Sequence, residues 1–153
     1  MAVEIVQATL PDLGFIVANI RPDDWREIEA IAGDVTGYEI ACRAYASPEA
    51  WVAKWHGQPV AALGVQPLTV SVLSAWAFGT RALWRAAPAL TGFLLGECAL
   101  RWIEAGVTRV EARALADHHA AHRWMIGMGA EAVPCPRYGR NGEDFVMFSW
   151  TVI

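Results

Sequence analysis

The sequence predicts an α/β (α+β) domain, a mixed sheet of about six to seven strands with about four helices on its two faces. Three observations predict it. The chain has 153 residues, 55% apolar and only 18% charged, the size and composition of one domain, 1–153, with a buried core. Alternating runs rich in β-branched and aromatic residues recur along it. Between them lie stretches with apolar residues at helical spacing, bounded by proline starts and glycine stops.

Taken in order, "VEIVQAT" (3–9) alternates and reads as a strand. "LPDLGFIVANI" (10–20) is a short helix with Pro11 in its first turn. "RPDDWREIEAIAG" (21–33) repeats the device: Pro22 and acids at the start, Trp25, Ile28 and Ile31 at helical spacing, Gly33 as the stop. "SPEAW" (47–51) is either a capped helix start or a turn into a strand. "WVAKW", "HGQ" and "PVAALGVQPL" form a hairpin. "TVSVLSAWAF" (69–78) is a strand with Val70, Val72, Trp76 and Phe78 on one face. The longest helix spans about 88–105, with a stripe of Leu90, Phe93, Leu94, Cys98, Trp102 and Ile103, and ends at Gly106. "TRVEARAL" (108–115) is a strand, and "ADHHAAHRWMIGMGAE" (116–131) the last helix. "EAVPCPRYG" and "DFVMFSWTV" are the closing strands, joined through an Asn141-Gly142 turn.

Composition narrows the function classes. The net charge is −4 with no basic stripe, which argues against a nucleic-acid partner. Cys42, Cys98 and Cys135 are odd in number and scattered, as free thiols of a reducing compartment are. The N-terminal segment has an acid at Glu4 and no basic or long apolar block, so it is not read as a signal peptide. No formally charged residue lies between Lys54 and Arg81, a span long enough to cross a bilayer, but "HGQP", "VQP" and the alternating polar positions make it two strands and no membrane helix.

This element order resembles the GNAT superfamily of acetyl-CoA-dependent N-acetyltransferases, and the likeness is most specific in the last third. In "HHAAHRWMIGMGAE", His118 stands where that superfamily has Asn, Ala121 where it has a small residue, Trp124-Met125 where it has a bulky pair, and Gly129-Ala130 where it closes on Gly-Phe or Gly-Ala. The resemblance implies a mostly antiparallel sheet. A narrower likeness, carried by "SAWAFGT", "HRWMIGMGA" and the short Asn-Gly hairpin, is to GNAT-like podovirus proteins of the internal virion protein A type. It implies a role in virion assembly, other phage or host proteins as partners, room for a homo-oligomer, and a place in the bacterial host cytoplasm or the virion.

The superfamily's cofactor loop, Q/R-x-x-G-x-G/A, finds its best register at "RAAPAL". Arg85 opens it, but Pro88 and Leu90 replace the two small residues, and proline has no N–H to offer a phosphate. Phe78, Gly79, Arg81 and Arg85 are the residues to hold acetyl-CoA if it binds; otherwise the two arginines are solvated loop residues. A proton acceptor is also needed, yet no Asp or Glu occurs from Ala50 to Gly96. Glu111 is a candidate, although its alternation with Arg109 and Arg113 equally describes a charged strand face. The superfamily's tyrosine donor falls at Met125, which leaves Tyr138, on the next strand, and His118, at the helix start, as catalytic candidates. The expected function is therefore a virion assembly or structural component with a degenerate acetyl-CoA site and no cofactor. The alternative is an active N-acetyltransferase using acetyl-CoA on a small amine or a protein amino group.

His118 and His122 are four apart, a zinc-like spacing, with Asp117 and Cys135 as further donors. No HExxH or CxxC accompanies them, so no metal is expected and the histidines read as a solvated face opposite Ala121, Trp124, Met125 and Met128. Trp84, between arginines in "RALWRAAP", is either an exposed contact residue or a cover for the sheet edge.

Overall fold

The computed structural model describes residues 2–152. Strand β1 (Val3–Gln7) leads into α1 (Leu10–Ala18), whose Thr9 cap accepts the Asp12 N–H. Helix α2 (Pro22–Ala32) starts on its proline and stops at Gly33, where φ is +80°. With helix α3 (Gly37–Tyr45) the described residues form five helices, one more than the sequence predicts. Its buried face is Ile40, Ala41 and Ala44, too small to stand out as a stripe, while Tyr38 and Tyr45 point outward. "SPEAW" is the turn into β2 (Glu49–Trp55), which pairs with β3 (Gln58–Pro67) across His56-Gly57, both at positive φ.

Strand β4 (Val72–Gly79) begins three residues later than expected, and Val70 lies outside it, fully exposed. A short 3₁₀ turn (Leu83–Arg85) precedes the long helix, which consists of α4 (Ala87–Gly92), a π-helical segment (Phe93–Cys98) and α5 (Ala99–Glu104). The wider π turns rotate the stripe, so Leu90, Cys98 and Trp102 are buried while Ile103 is exposed. Strand β5 (Arg109–Leu115), helix α6 (His119–Gly127), β6 (Glu131–Cys135) and β7 (Phe145–Thr151) complete the chain. Helix α6 is shorter than the predicted 116–131, and β6 ends before Tyr138, which lies in the connection to β7.

The sheet order is β1-β2-β3-β4-β5-β7-β6. All neighbours are antiparallel except β4 and β5, which run parallel and pair only at Val72, Leu73 and Ser74 against Arg109, Val110 and Glu111. Beyond Ser74 and Glu111 the two strands part. Helices α1 and α3 pack on one face around Leu13, Ile16, Val52 and Phe78. The long helix and α6 pack on the other, around Leu90, Trp102, Met125 and Phe148. Pro134 sits on β6, an edge strand, where a missing N–H is tolerated.

Candidate functional site

Where β4 and β5 part, a cleft of about 1090 Å³ opens between the halves of the sheet. A splayed pair leaves inner-edge N–H groups without strand partners, and helix α2 supplies the acceptors. Asp24 Oδ2 accepts the Gly79 N–H at the end of β4 at 2.8 Å. Glu27 Oε1 accepts the Leu115 N–H at the end of β5 at 2.8 Å. Asp24 also accepts from Arg21 Nε and Nη2 at 3.0 and 2.8 Å, and His118 Nε2 lies 2.7 Å from its Oδ1. Asp24 and His118 are only 3% and 2% exposed.

The electrostatics follow from this packing. Burial alone pushes Asp24 up, but hydrogen bonds from His118 and Arg21 and the Arg21 charge hold it below its ordinary value. Burial likewise opposes a charged His118, and the Asp24 bond with the Glu27 and Asp24 charges raises it overall. Both shifts favour a His118–H⁺ donating to an Asp24 carboxylate. Glu27 has no such cation bound to it, and burial lifts it to about 7 despite the Leu115 N–H.

The segment from Ala50 to Gly96 supplies no carboxylate to the cleft, and the two that line it, Asp24 and Glu27, arrive from α2, which the sequence reading did not consider. The sequence carried the signal. Asp24 and Glu27 fall at i and i+3 of a stripe continued by Ile28 and Ile31, so the acids sit on the inward face. Asp24 is both a first-turn acid of α2 and buried, whereas Ile31, at the far end of the stripe, is exposed. The solvated histidine face is also overturned. His118 is buried, and His122 donates Nε2–H to the Leu115 carbonyl at 2.8 Å with its ring 5.1 Å from Phe148. Among the described residues no group of three His, Cys, Asp or Glu side chains could hold a metal.

The other expected residues separate. Glu111 is held by Arg109 at 2.8 Å and Arg113 at 3.5 Å. Tyr138 is exposed, edge-on to Phe145, with the Arg113 guanidinium 5.1 Å from its ring. Phe78 lines the cleft and stacks on Trp76 at 5.5 Å. Gly79 is closely approached by Leu83 and the Val60 carbonyl, where a side chain would collide. Arg81 is exposed. The Arg85 guanidinium lies over two indoles, 4.0 Å from the Trp55 ring and 4.4 Å from Trp84, and Trp84 itself is 63% exposed.

The loop between β4 and α4 is closed on itself. Arg85 N–H donates to Ala82 O, Ala86 N–H to Leu83 O, and Leu90 N–H to Ala86 O. Pro88 has none, and Leu90 is 1% exposed. The Gly79 N–H is taken by Asp24. Within "RAAPAL" this leaves the N–H groups of Ala87 and Ala89 at the start of α4 as those with no backbone acceptor.

No family model and no curated protein sequence matches the chain. Solved structures do. Ard1 from Thermoplasma volcanium gives a TM-score of 0.72 at 16% identity, over 100% of this chain and 99% of its own. Salmonella typhimurium yncA, solved with its cofactor acetyl-CoA, gives 0.74 at 12% over 100% and 95%. An acetyltransferase of the GNAT family from Bacillus anthracis gives 0.73 at 9% over 99% and 95%. The likeness is one of fold: the chain has the GNAT fold. None of these three is described as a phage or virion protein, so they lend no support to the narrower likeness.

Proposed function

We propose that this chain uses the GNAT fold as a binding scaffold, with a cofactor site that no longer takes acetyl-CoA and a role exerted through contacts with other proteins, as in particle assembly. The observation that carries this reading is the self-bonded loop ahead of α4, with Pro88 and buried Leu90 at the positions a phosphate would need open. The exposed Trp84, Leu95 and Leu100 supply an apolar surface on the same loop and helix. Calorimetric titration with acetyl-CoA tests it. No heat of binding at millimolar cofactor is the expected result, and micromolar binding rejects the reading.

One observation favours a second reading, an active N-acetyltransferase on a small amine or protein amino group. Glu27, lifted to about 7 at the wall of the cleft, is suited to accept a proton at neutral pH. If acetyl-CoA does bind, Glu27→Gln, which keeps an acceptor for Leu115, should slow acetyl transfer while leaving cofactor affinity unchanged.

A further inference from the structure

Among the described residues, two buried side-chain nitrogens or oxygens have no hydrogen-bond partner: His118 Nδ1 and Arg113 Nε. Both residues line the cleft. Buried polar atoms are almost always satisfied, so orphaned ones on a cleft wall mark where a ligand or water belongs. Both are donors. Arginine Nε always carries its proton. His118 gives Nε2–H to Asp24, and in its charged form Nδ1 carries a proton as well.

The charge of the cleft points the same way. The chain as a whole is at −4. The cleft wall reverses that sign: Arg21, Arg43, Arg109, Arg113 and Arg123 line it with Asp24 and Glu27, and even with Glu111, which pairs with Arg109 and Arg113, the arginines outnumber the carboxylates. A low-dielectric cleft lined by one sign of charge concentrates ligands of the other. The remaining wall is mostly apolar, with the Trp76–Phe78 stack and Trp124, Met125 and Met128 as its large side chains. Its volume lies slightly above the usual range for small-molecule sites.

We propose that the cleft is a binding site for an organic acid with an apolar body, whose carboxylate is met by the donors of His118 and Arg113 while the aromatic and methionine walls take the chain or ring. Leu83 and Trp84 of the loop ahead of α4 also line the cleft, but the carboxylate is met by His118 and Arg113, which lie outside that loop.

The test uses 4-phenylbutyrate and octanoate as acids, 4-phenylbutyramide and 4-phenylbutylamine as neutral and cationic matches, and inorganic phosphate as an anion without an apolar body. Affinities are read by calorimetry on the full chain without other ligands. Both acids should bind, the amide at least about tenfold more weakly, and the amine and phosphate not measurably. Arg113→Met should weaken the acids by about tenfold or more and leave the amide unchanged, with an unaltered melting curve showing that the variant folds; Arg113 is partly exposed. His118→Gln should act in the same direction, with its melting curve read alongside. Equal binding of acid, amide and amine overturns the proposal. So does phosphate binding as tight as that of the acids, acid affinity indifferent to Arg113→Met, or no acid binding at all at millimolar concentration.

Discussion

Glu27 is the residue whose chemistry departs furthest from its ordinary behaviour. Burial raises its carboxyl from 4.5 to about 7, so the folded protein holds this proton more tightly than the unfolded chain does. For a raised acid, folding stability is greatest with the proton on and falls as pH climbs from about 4.5 to 7, by at most about 3 kcal/mol. His118 and Asp24 act in other windows. The stability from raised His118 is full below 6.5 and is lost as pH passes its folded value; that from lowered Asp24 is full above 3.8 and is lost as pH falls through its folded value. Glu27→Gln is isosteric and keeps the oxygen that accepts the Leu115 N–H. Urea denaturation of the variant should therefore show a flatter pH dependence between 4.5 and 7 than the parent, with little change at the acid end. An undiminished slope would mean that Glu27 titrates normally.

At the scale of elements, the helix that escaped the sequence reading is the instructive one. Helix α3 buries alanines and one isoleucine, and its two tyrosines face out, so hydrophobic periodicity is weak over 37–45. The local signal was present nonetheless. Thr36 and Glu39 have the spacing of a capping pair, and Thr36 Oγ1 accepts the Glu39 N–H at 3.1 Å. Thr36→Ala should cost about 1 kcal/mol, read as a lowered denaturation midpoint with an unchanged slope. The strands, the hairpin at His56-Gly57 and the long helix were legible because burial on one face writes its period into the sequence. The site was less so. Pro88 and Leu90 announced the closed loop, because a missing N–H and a bulky side chain are local properties. The Asp24–His118 pair spans 94 positions, and no spacing rule encodes which charge meets which across the sheet. The π-helical segment within the long helix left no mark that periodicity analysis separates from an α-helix, and the misplaced Ile103 is its consequence.

On the scale of the whole molecule, the sheet is two half-sheets joined by three residue pairs between β4 and β5. Helix α2 bridges the gap they leave. Arg21 N–H donates to the Gly79 carbonyl at 2.9 Å, Asp24 accepts the Gly79 N–H and bonds His118 just past β5, and Glu27 takes the Leu115 N–H. One helix thus holds both lips of the cleft, with ionised groups whose desolvation an apolar helix would avoid. Buried charge is a poor device for stability alone, so its use here is better explained by keeping the strands apart at a set width. Removing one partner is another matter, since it strands the others. Asp24→Ala leaves Arg21, His118 and the Gly79 N–H without their acceptor and should destabilise the fold by about 3–5 kcal/mol in urea denaturation. The loss should be local as well as global. Hydrogen exchange should quicken first at Gly79 and along the C-terminal half of β4, while the amides paired between β2 and β3 keep their order of protection. Uniform quickening across both half-sheets would show instead that the bridge sets overall stability and not the width of the cleft.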